Sequence, residues 1–329
     1  MLSYMLRRVA IMIPTLLVVS VVAFVIIQLP PGDFLSSYVA QLRAEGDEVD
    51  MAEIRALEQR YGLGQPIYVQ YLKWIIGILL HGDWGQSMEW QKPVKELIWE
   101  RIGLTMVLSS CTMLLSWLVA IPVGVYSATH QYSIPDYLMT LMSFVGVGTP
   151  SFLLALVVMW LALSQLNLSV GGLFSVAYIN APWSLDRFVD MLKHIWIPLL
   201  VLGVGSTAGG IRTTRANLLD ELNKAYVITA RAKGLTEWKV IWKYPVRLAL
   251  NPFFSTVGWS LARLISGTTL ISMVLSLQTT GPLLLRALMS QDMYLAGSFI
   301  LLLSTLTVIG TLLSDILLAW VDPRIRMAG

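Results

Sequence analysis

The sequence predicts an all-α, polytopic membrane protein, and three observations carry that prediction. The chain of 329 residues is 56% hydrophobic and 13% charged, about half the charged fraction of an average soluble domain. Its mean hydropathy is +0.69. Its apolar residues gather into several runs of about 20, the helix length that a bilayer core demands. The net charge of +3 is too small to imply nucleic-acid binding. A lone Cys111 excludes an internal disulfide and any cysteine-cluster metal site, and His81, His130 and His194 have no ligand spacing, so no metal is expected.

Arg7 and Arg8 precede the first apolar run, Val9 to Leu29, which stops at Pro30-Pro31-Gly32. The charged start resembles a signal peptide, but the run is too long and has no small-residue cleavage site. It reads as an uncleaved first span, so residues 1–29 form one unit, with the N-terminus on the cytoplasmic side. Residues 30–101 form a long extracytoplasmic segment with helical patterning. Asp50 and Glu53 make an acidic capping box, and Met51, Ile54, Leu57 and Tyr61 recur at helical spacing before Gly62. Pro66 to Leu80, carrying Tyr68, Tyr71 and Trp74, predicts a helix lying at the lipid–water boundary. Pro93 opens a helix that runs on into the membrane.

Residues 102–329 form the membrane core, with five further spans. Span two is Ile102 to Tyr126. Span three runs from about Tyr137 to Leu166 with Gly148, Thr149, Pro150 and Ser151 in its middle. Gly and Pro there free backbone groups that must face protein or water. A packing kink and a wall of a solute path both fit. A short helix from Leu185 to His194 precedes span four, which starts at Ile195 and contains Gly203, Gly205, Gly209 and Gly210. Span five covers Phe253 to Leu275 and span six Met293 to Trp320. Six crossings leave both termini in the cytoplasm, together with the loop 212–250. That stretch holds eight bases from Arg212 to Arg247 against Asp220, Glu221 and Glu237. The shorter outer connections carry only Arg187, Lys193 and Arg286, as the excess of positive charge inside requires.

The spans are nearly free of ionisable residues, Arg263 and Asp315 excepted. Asp315 lies near the cytoplasmic end, where a base can pair with it. Arg263 is deeper, and needs the protein interior, a partner subunit or water; pairing and solute contact remain open. No G-x-x-x-x-G-K-[ST] occurs, so the chain is not expected to bind ATP. No H-E-x-x-H or G-x-S-x-G occurs either, which leaves a membrane enzyme without a catalytic group. An ATP-independent secondary carrier would be expected to show intramembrane acids or inverted repeats.

The cytoplasmic loop 212–250 predicts two short helices hinged at Gly234. The first runs from Glu221 to Lys233, with Leu222, Ala225, Tyr226 and Thr229 on one face. Thr236 caps the second, with Glu237 in its first turn. Ala230, Ala232 and Gly234 offer a corner with little side-chain bulk, which another protein can approach.

The run Tyr226-Val-Ile-Thr-Ala-Arg-Ala-Lys-Gly234-Leu235 closely resembles the coupling-loop motif of bacterial ABC importer permeases, and within them the dipeptide/oligopeptide permease family. LRR…PPGDF near the N-terminus, YGLGQPIYVQYLKW, the Gly-Asp-x-Gly at Gly82 to Gly85, Pro93-Val94 and Asp322-Pro323-Arg324 extend the resemblance over essentially the whole chain. The second half of the motif departs from the broader pattern, reading YPVRLALNP, and the outer stretch NLSVGGLFSVAYINAPWSLDRF is longer than in typical dipeptide permeases. The resemblance implies a permease in the bacterial inner membrane. It would work with a second permease, two cytoplasmic ATPases that bind ATP and Mg, and an extracytoplasmic solute-binding protein. It further implies that Ala230, Arg231, Ala232, Lys233, Gly234 and Leu235 dock on an ATPase, that residues 30–101 and 167–194 receive the binding protein, and that the cargo is a peptide or an oligosaccharide.

Overall fold

A computed structural model describes residues 2–28, 65–87, 89–166, 171–179 and 181–321, which are mostly helical. The expected capping box at Asp50 and Glu53, the helix after it, and Asp322-Pro323-Arg324 lie outside the described residues. Helix α1 (Leu2–Gln28) is followed by α2 (Ile67–Ile76), which runs into a π-helical turn over Gly77–His81. A two-residue antiparallel pairing, β1 (Gln86–Ser87) with β2 (Lys92–Pro93), leads into α3 (Val94–Thr129). Pro93 stands at the N-cap of α3 as expected, and Glu96 in the first turn complements the helix dipole.

Helices α4 (Ile134–Gly148) and α5 (Ser151–Leu166) replace the single helix expected for span three. They meet at a bend of 104°, far more than a kink. Pro150 cannot donate to the carbonyl four residues back and forces Thr149 into extended backbone, φ −83° and ψ 123°. Helix α6 (Leu185–Leu222) is continuous for 38 residues, so the separate helix expected at Leu185 to His194 is its first turns. Ser184 caps it by accepting from the Arg187 N–H at 3.2 Å. At 1.5 Å per residue it is about 57 Å long, well beyond the thickness of a bilayer core.

Past the loop come α7 (Ala225–Ala232), α8 (Glu237–Lys243), α9 (Pro245–Ala249) and α10 (Asn251–Ser255). They lead to α11 (Val257–Gly267), α12 (Thr269–Val274), α13 (Thr280–Met289) and α14 (Met293–Val321). The stretch predicted as one span from Phe253 to Leu275 is thus three short helices, broken at Thr256 and Thr268. Among the described residues four helices are long and apolar enough to cross a membrane, with a fifth if the bent pair α4–α5 is one span. This is a multi-pass membrane protein.

Packing is organised by α3 against α6. On α3 the buried residues Thr112, Ser116, Ala120, Gly124 and Ala128 recur every four positions, a stripe of small side chains. Gly203, Gly210 and Thr214 of α6 face it: a Cβ on Gly210 would come within 2.8 Å of the Ala120 Cβ, and one on Gly124 within 2.6 Å of the Thr214 Cβ. Lipid offers no hydrophobic drive between helices, so close packing and hydrogen bonds must hold them. Ser116 and Ser206 supply one such bond at 2.8 Å.

A second cluster joins Phe24 of α1, Trp74 of α2, Leu97 and Ile98 of α3, and Leu295 and Phe299 of α14. The interfacial helix expected at Pro66 to Leu80 is therefore helical, but it buries Trp74 against Phe24 at 5.5 Å. Asp292, fully buried, caps α14 by accepting from the Leu295 N–H at 3.1 Å and also accepts from the Ser87 hydroxyl. At the opposite end, Asp136 of α4 lies 2% exposed. Its carboxylate accepts from Arg215 Nε at 2.8 Å and Nη2 at 2.9 Å, from the Tyr132 N–H at 3.0 Å and from the Ser127 hydroxyl. This knot ties α3, α4 and α6 together. Asp136→Ala is expected to cost about 3 kcal/mol, because it strands the Arg215 charge. Asp136→Ala with Arg215→Met should recover most of that loss; thermal inactivation of the purified protein measures both, and no recovery in the double variant would show that the charge is not the cause.

Candidate functional site

Thr256, Ser260 and Arg263 follow one another at i, i+4 and i+7 along the start and middle of α11, which places them on one helical face. Facing them on α6 are Gly205, Ser206, Gly209, Gly210 and Thr213, and α3 adds Met113, Ser116 and Trp117. These residues, with Phe253 and Leu264, line a cavity of ≈ 470 Å³. Gly209 keeps it open, since nothing lies within 4 Å of where its Cβ would stand. Trp117 meets the ring of Phe253 edge-on at 5.6 Å and that of Phe254 at 6.0 Å, forming an aromatic end wall. Arg263 is exposed into this space, and among the described residues no Asp or Glu lines it. Among the described residues Arg263 forms no ion pair, whereas Asp315 pairs with Arg8 at 3.2 Å, as a base near the end of its span was expected to do.

Gly148, Thr149, Pro150 and Ser151 are not brought to this cavity. They form the corner between α4 and α5, where the Thr149 hydroxyl and N–H both donate to the Val145 carbonyl, at 2.7 and 2.9 Å. A neighbouring cavity lies closer to them, lined by Val147 and Phe144 of α4 and by Arg212 and Arg215 of α6.

The loop after α6 folds as a small unit. Glu221 and Leu222 belong to α6, and its chain breaks at Asn223 and Lys224, so α7 begins only at Ala225. This corrects the helix expected from Glu221. Tyr226 reaches back to donate to the Glu221 carboxylate. Val227 and Ala230 of α7 pack on Val240 of α8, all three buried. Ala230 therefore serves the loop's own packing and is not part of an open corner. Thr229, Arg231, Ala232, Lys233, Gly234 and Leu235 are exposed. Gly234 has φ +75° with open space around its Cβ position, so glycine is needed there for backbone conformation and not for room. Thr236 stands at the N-cap of α8 but its side chain makes no capping bond. The turn is held instead by Arg231, whose Nε and Nη2 donate to Glu237 at 2.9 and 3.3 Å.

Residues 120–327 match the family described as the binding-protein-dependent transport system inner membrane component, and residues 1–109 match the N-terminal model of such membrane components. The chain belongs to this family. It is similar to the oligopeptide transport system permease protein AppB of Bacillus subtilis, 34% identical over 99% of this chain and 100% of the relative. It is also similar to the dipeptide transport system permease protein DppB of Escherichia coli K12, 31% identical over 99% of both chains. A third relative is the glutathione transport system permease protein GsiC of Salmonella paratyphi A, 32% identical over 99% of both.

Within this inner membrane component, sequence reasoning singled out Arg263 but missed the residues that surround it. The signal was present: Gly205, Gly209 and Thr213 lie four apart on one helix. It also missed the exposed apolar residues of the loop, Ile228 (58%), Trp238 (71%) and Trp242 (36%). Two tryptophans four apart in a basic loop carry that signal. Gly209→Phe is expected to fill the cavity and abolish solute uptake while the protein still assembles. Gly210→Val should instead lower the yield of folded protein, since Ala120 leaves its Cβ no room. Uptake in proteoliposomes and size-exclusion profiles separate the two, and normal uptake by Gly209→Phe would remove the cavity from the transport path.

Proposed function

We propose that this chain is a transmembrane permease subunit of an ATP-driven, binding-protein-dependent importer that moves short peptides into the cytoplasm by alternating access. The observation that carries this reading is its similarity, over 99% of its length, to permease proteins named for oligopeptide, dipeptide and glutathione transport. Those names favour a peptide cargo over an oligosaccharide. In this reading the chain crosses the bacterial inner membrane six times with both termini in the cytoplasm, the broken stretch α10–α12 being one of the crossings. ATP and Mg are bound by two partner ATPases, since this chain has no P-loop sequence. A second permease completes the path, and an extracytoplasmic binding protein delivers the solute onto the outer segments 30–101 and 167–194.

The loop α7–α8 is the grip for the motor. Thr229, Ala232, Lys233 and Leu235 present the exposed surface. Arg231 and Glu237 brace its corner, Tyr226 ties it to α6, and Ala230 fills its core. A push on this unit acts directly on α6, which forms one wall of the cavity. The cavity beside Arg263 is the part of the path that this subunit supplies, with the Gly148–Ser151 corner as a second, outlying wall.

Co-purification with ATPase subunits whose hydrolysis rises on adding a binding protein supports this function. Robust uptake by this chain alone in ATP-free vesicles would overturn it in favour of a secondary carrier. Gly234→Val is expected to leave insertion intact and to uncouple hydrolysis from uptake, because a β-branched residue at φ +75° is strained. Uptake per ATP hydrolysed measures this, and an unchanged ratio would move the grip elsewhere.

A further inference from the structure

In an apolar span a guanidinium needs water, a counter-charge or a ligand to be tolerated. Elsewhere the described structure supplies a counter-charge: Asp315, the other ionisable residue expected in a span, pairs with Arg8, and within 212–250 Arg215 pairs with Asp136. Arg212 lies over the Phe144 ring at 4.7 Å. Arg263 is different. It is exposed into a cavity that has no acidic residue in its lining among the described residues. Around it are hydroxyls, Ser260 on the same face of α11 and Thr213 across the cavity on α6. A guanidinium and hydroxyls can all donate hydrogen bonds, and the planar guanidinium matches a carboxylate with two parallel donors. The walls beyond them are apolar or aromatic: Met113, Trp117, Phe253 and Leu264. The volume, ≈ 470 Å³, falls in the range of about 300–1,000 Å³ usual for small-molecule sites.

We infer that Arg263 is a specificity-determining residue that pairs with a carboxylate of the passing solute, the C-terminal carboxylate of a short peptide, while side chains of the peptide rest against the Trp117 and Phe253 wall. Among the described residues the lining has no carboxylate to balance a free amino terminus, whose charge Arg263 would repel, so the site favours the acid end. This deepens the peptide-import reading and rests on it.

The test uses the full complex with its partner permease, ATPases and binding protein in proteoliposomes. Uptake is measured for a labelled tripeptide and for the same tripeptide with a C-terminal amide. Both are compared between the native chain, Arg263→Gln and Arg263→Lys. The binding protein's own preference is common to all three and cancels in the comparison of acid-to-amide ratios. Loss of one charge-assisted pairing predicts that the ratio falls at least about tenfold in Arg263→Gln. Arg263→Lys, which keeps the charge but not the two parallel donors, should fall between the native chain and Arg263→Gln and shows that the position tolerates substitution. Equilibrium binding of the same peptides to the purified complex without the binding protein gives the comparison where that protein rejects the amide, and there Arg263→Gln should weaken the acid alone. An equal change for acid and amide, as a counter-charge on the partner permease would produce, overturns the inference, and so does no change in either. If the native complex takes up and binds neither peptide, the peptide-import reading itself fails.

Discussion

Helices α3 and α6 approach until side-chain volume between them is nearly exhausted, and the rest of the arrangement depends on that approach. Ala120, Gly124, Gly203 and Gly210 leave backbone close to backbone, and Ser116 bonds to Ser206 where the surfaces allow it. In lipid such contact replaces the hydrophobic drive that holds soluble helices together. The consequence falls on the rest of α6. With Gly203 and Gly210 committed to α3, Gly209 has open space on its Cβ side and Gly205 meets only the Gly146 carbonyl, at 3.9 Å, and both line the cavity. One helix thus acts as scaffold on one face and wall on another. Its C-terminal end passes into α7 through a two-residue break, and the scaffold is joined to the loop by the Tyr226–Glu221 bond and by Leu218, Leu219 and Leu222 packing with Val246 and Ala249.

Charge is distributed by the same economy. A chain with so few ionisable groups places a buried Asp136–Arg215 knot where α3, α4 and α6 meet, and another pair, Arg8–Asp315, where α1 meets α14. Both join elements distant in sequence. Neither pair was recognisable by spacing, because its partners come from different spans. Arg263 was recognisable, since a base deep in an apolar run is costly wherever its partner is.

Composition and run length made the membrane class legible, and the loop motif made the family legible. Breaks within spans were harder to read. Pro150 and the glycines around it signal that α4 must stop, but not that α5 leaves at 104°, because the angle is set by packing of Ala155 and Ala162 in the cluster around Ile195 and Leu275. The division of Phe253 to Leu275 carries a fainter signal, since Thr256 and Thr268 are ordinary residues in membrane helices. The exposure of Ala230 was misjudged for a related reason. Small residues fit both an open corner and a tight core, and only the position of Val240 decides between them.

The break at Thr256 has a physical cause that fixes Arg263 in place. Where the helix is interrupted, the Gly258 N–H bonds to the Ser314 hydroxyl of α14 at 2.8 Å. Backbone groups freed within a membrane must find such partners. The Thr256 hydroxyl does the same at its own turn, donating to the Pro252 carbonyl at 2.7 Å. Reaching Ser314 requires the two helices to touch, and they do so glycine to glycine: a Cβ on Gly258 would lie 2.3 Å from the Gly310 carbonyl carbon. Helix α11 is therefore a short rod with a break at each end, held to α14 near its start. Arg263 lies five residues past that crossing, a little over one turn. Its place beside α6 is then set by the Gly258–Gly310 contact on one side and by the packing of α11 on α3 on the other, so the cavity is framed by three helices that each hold the next.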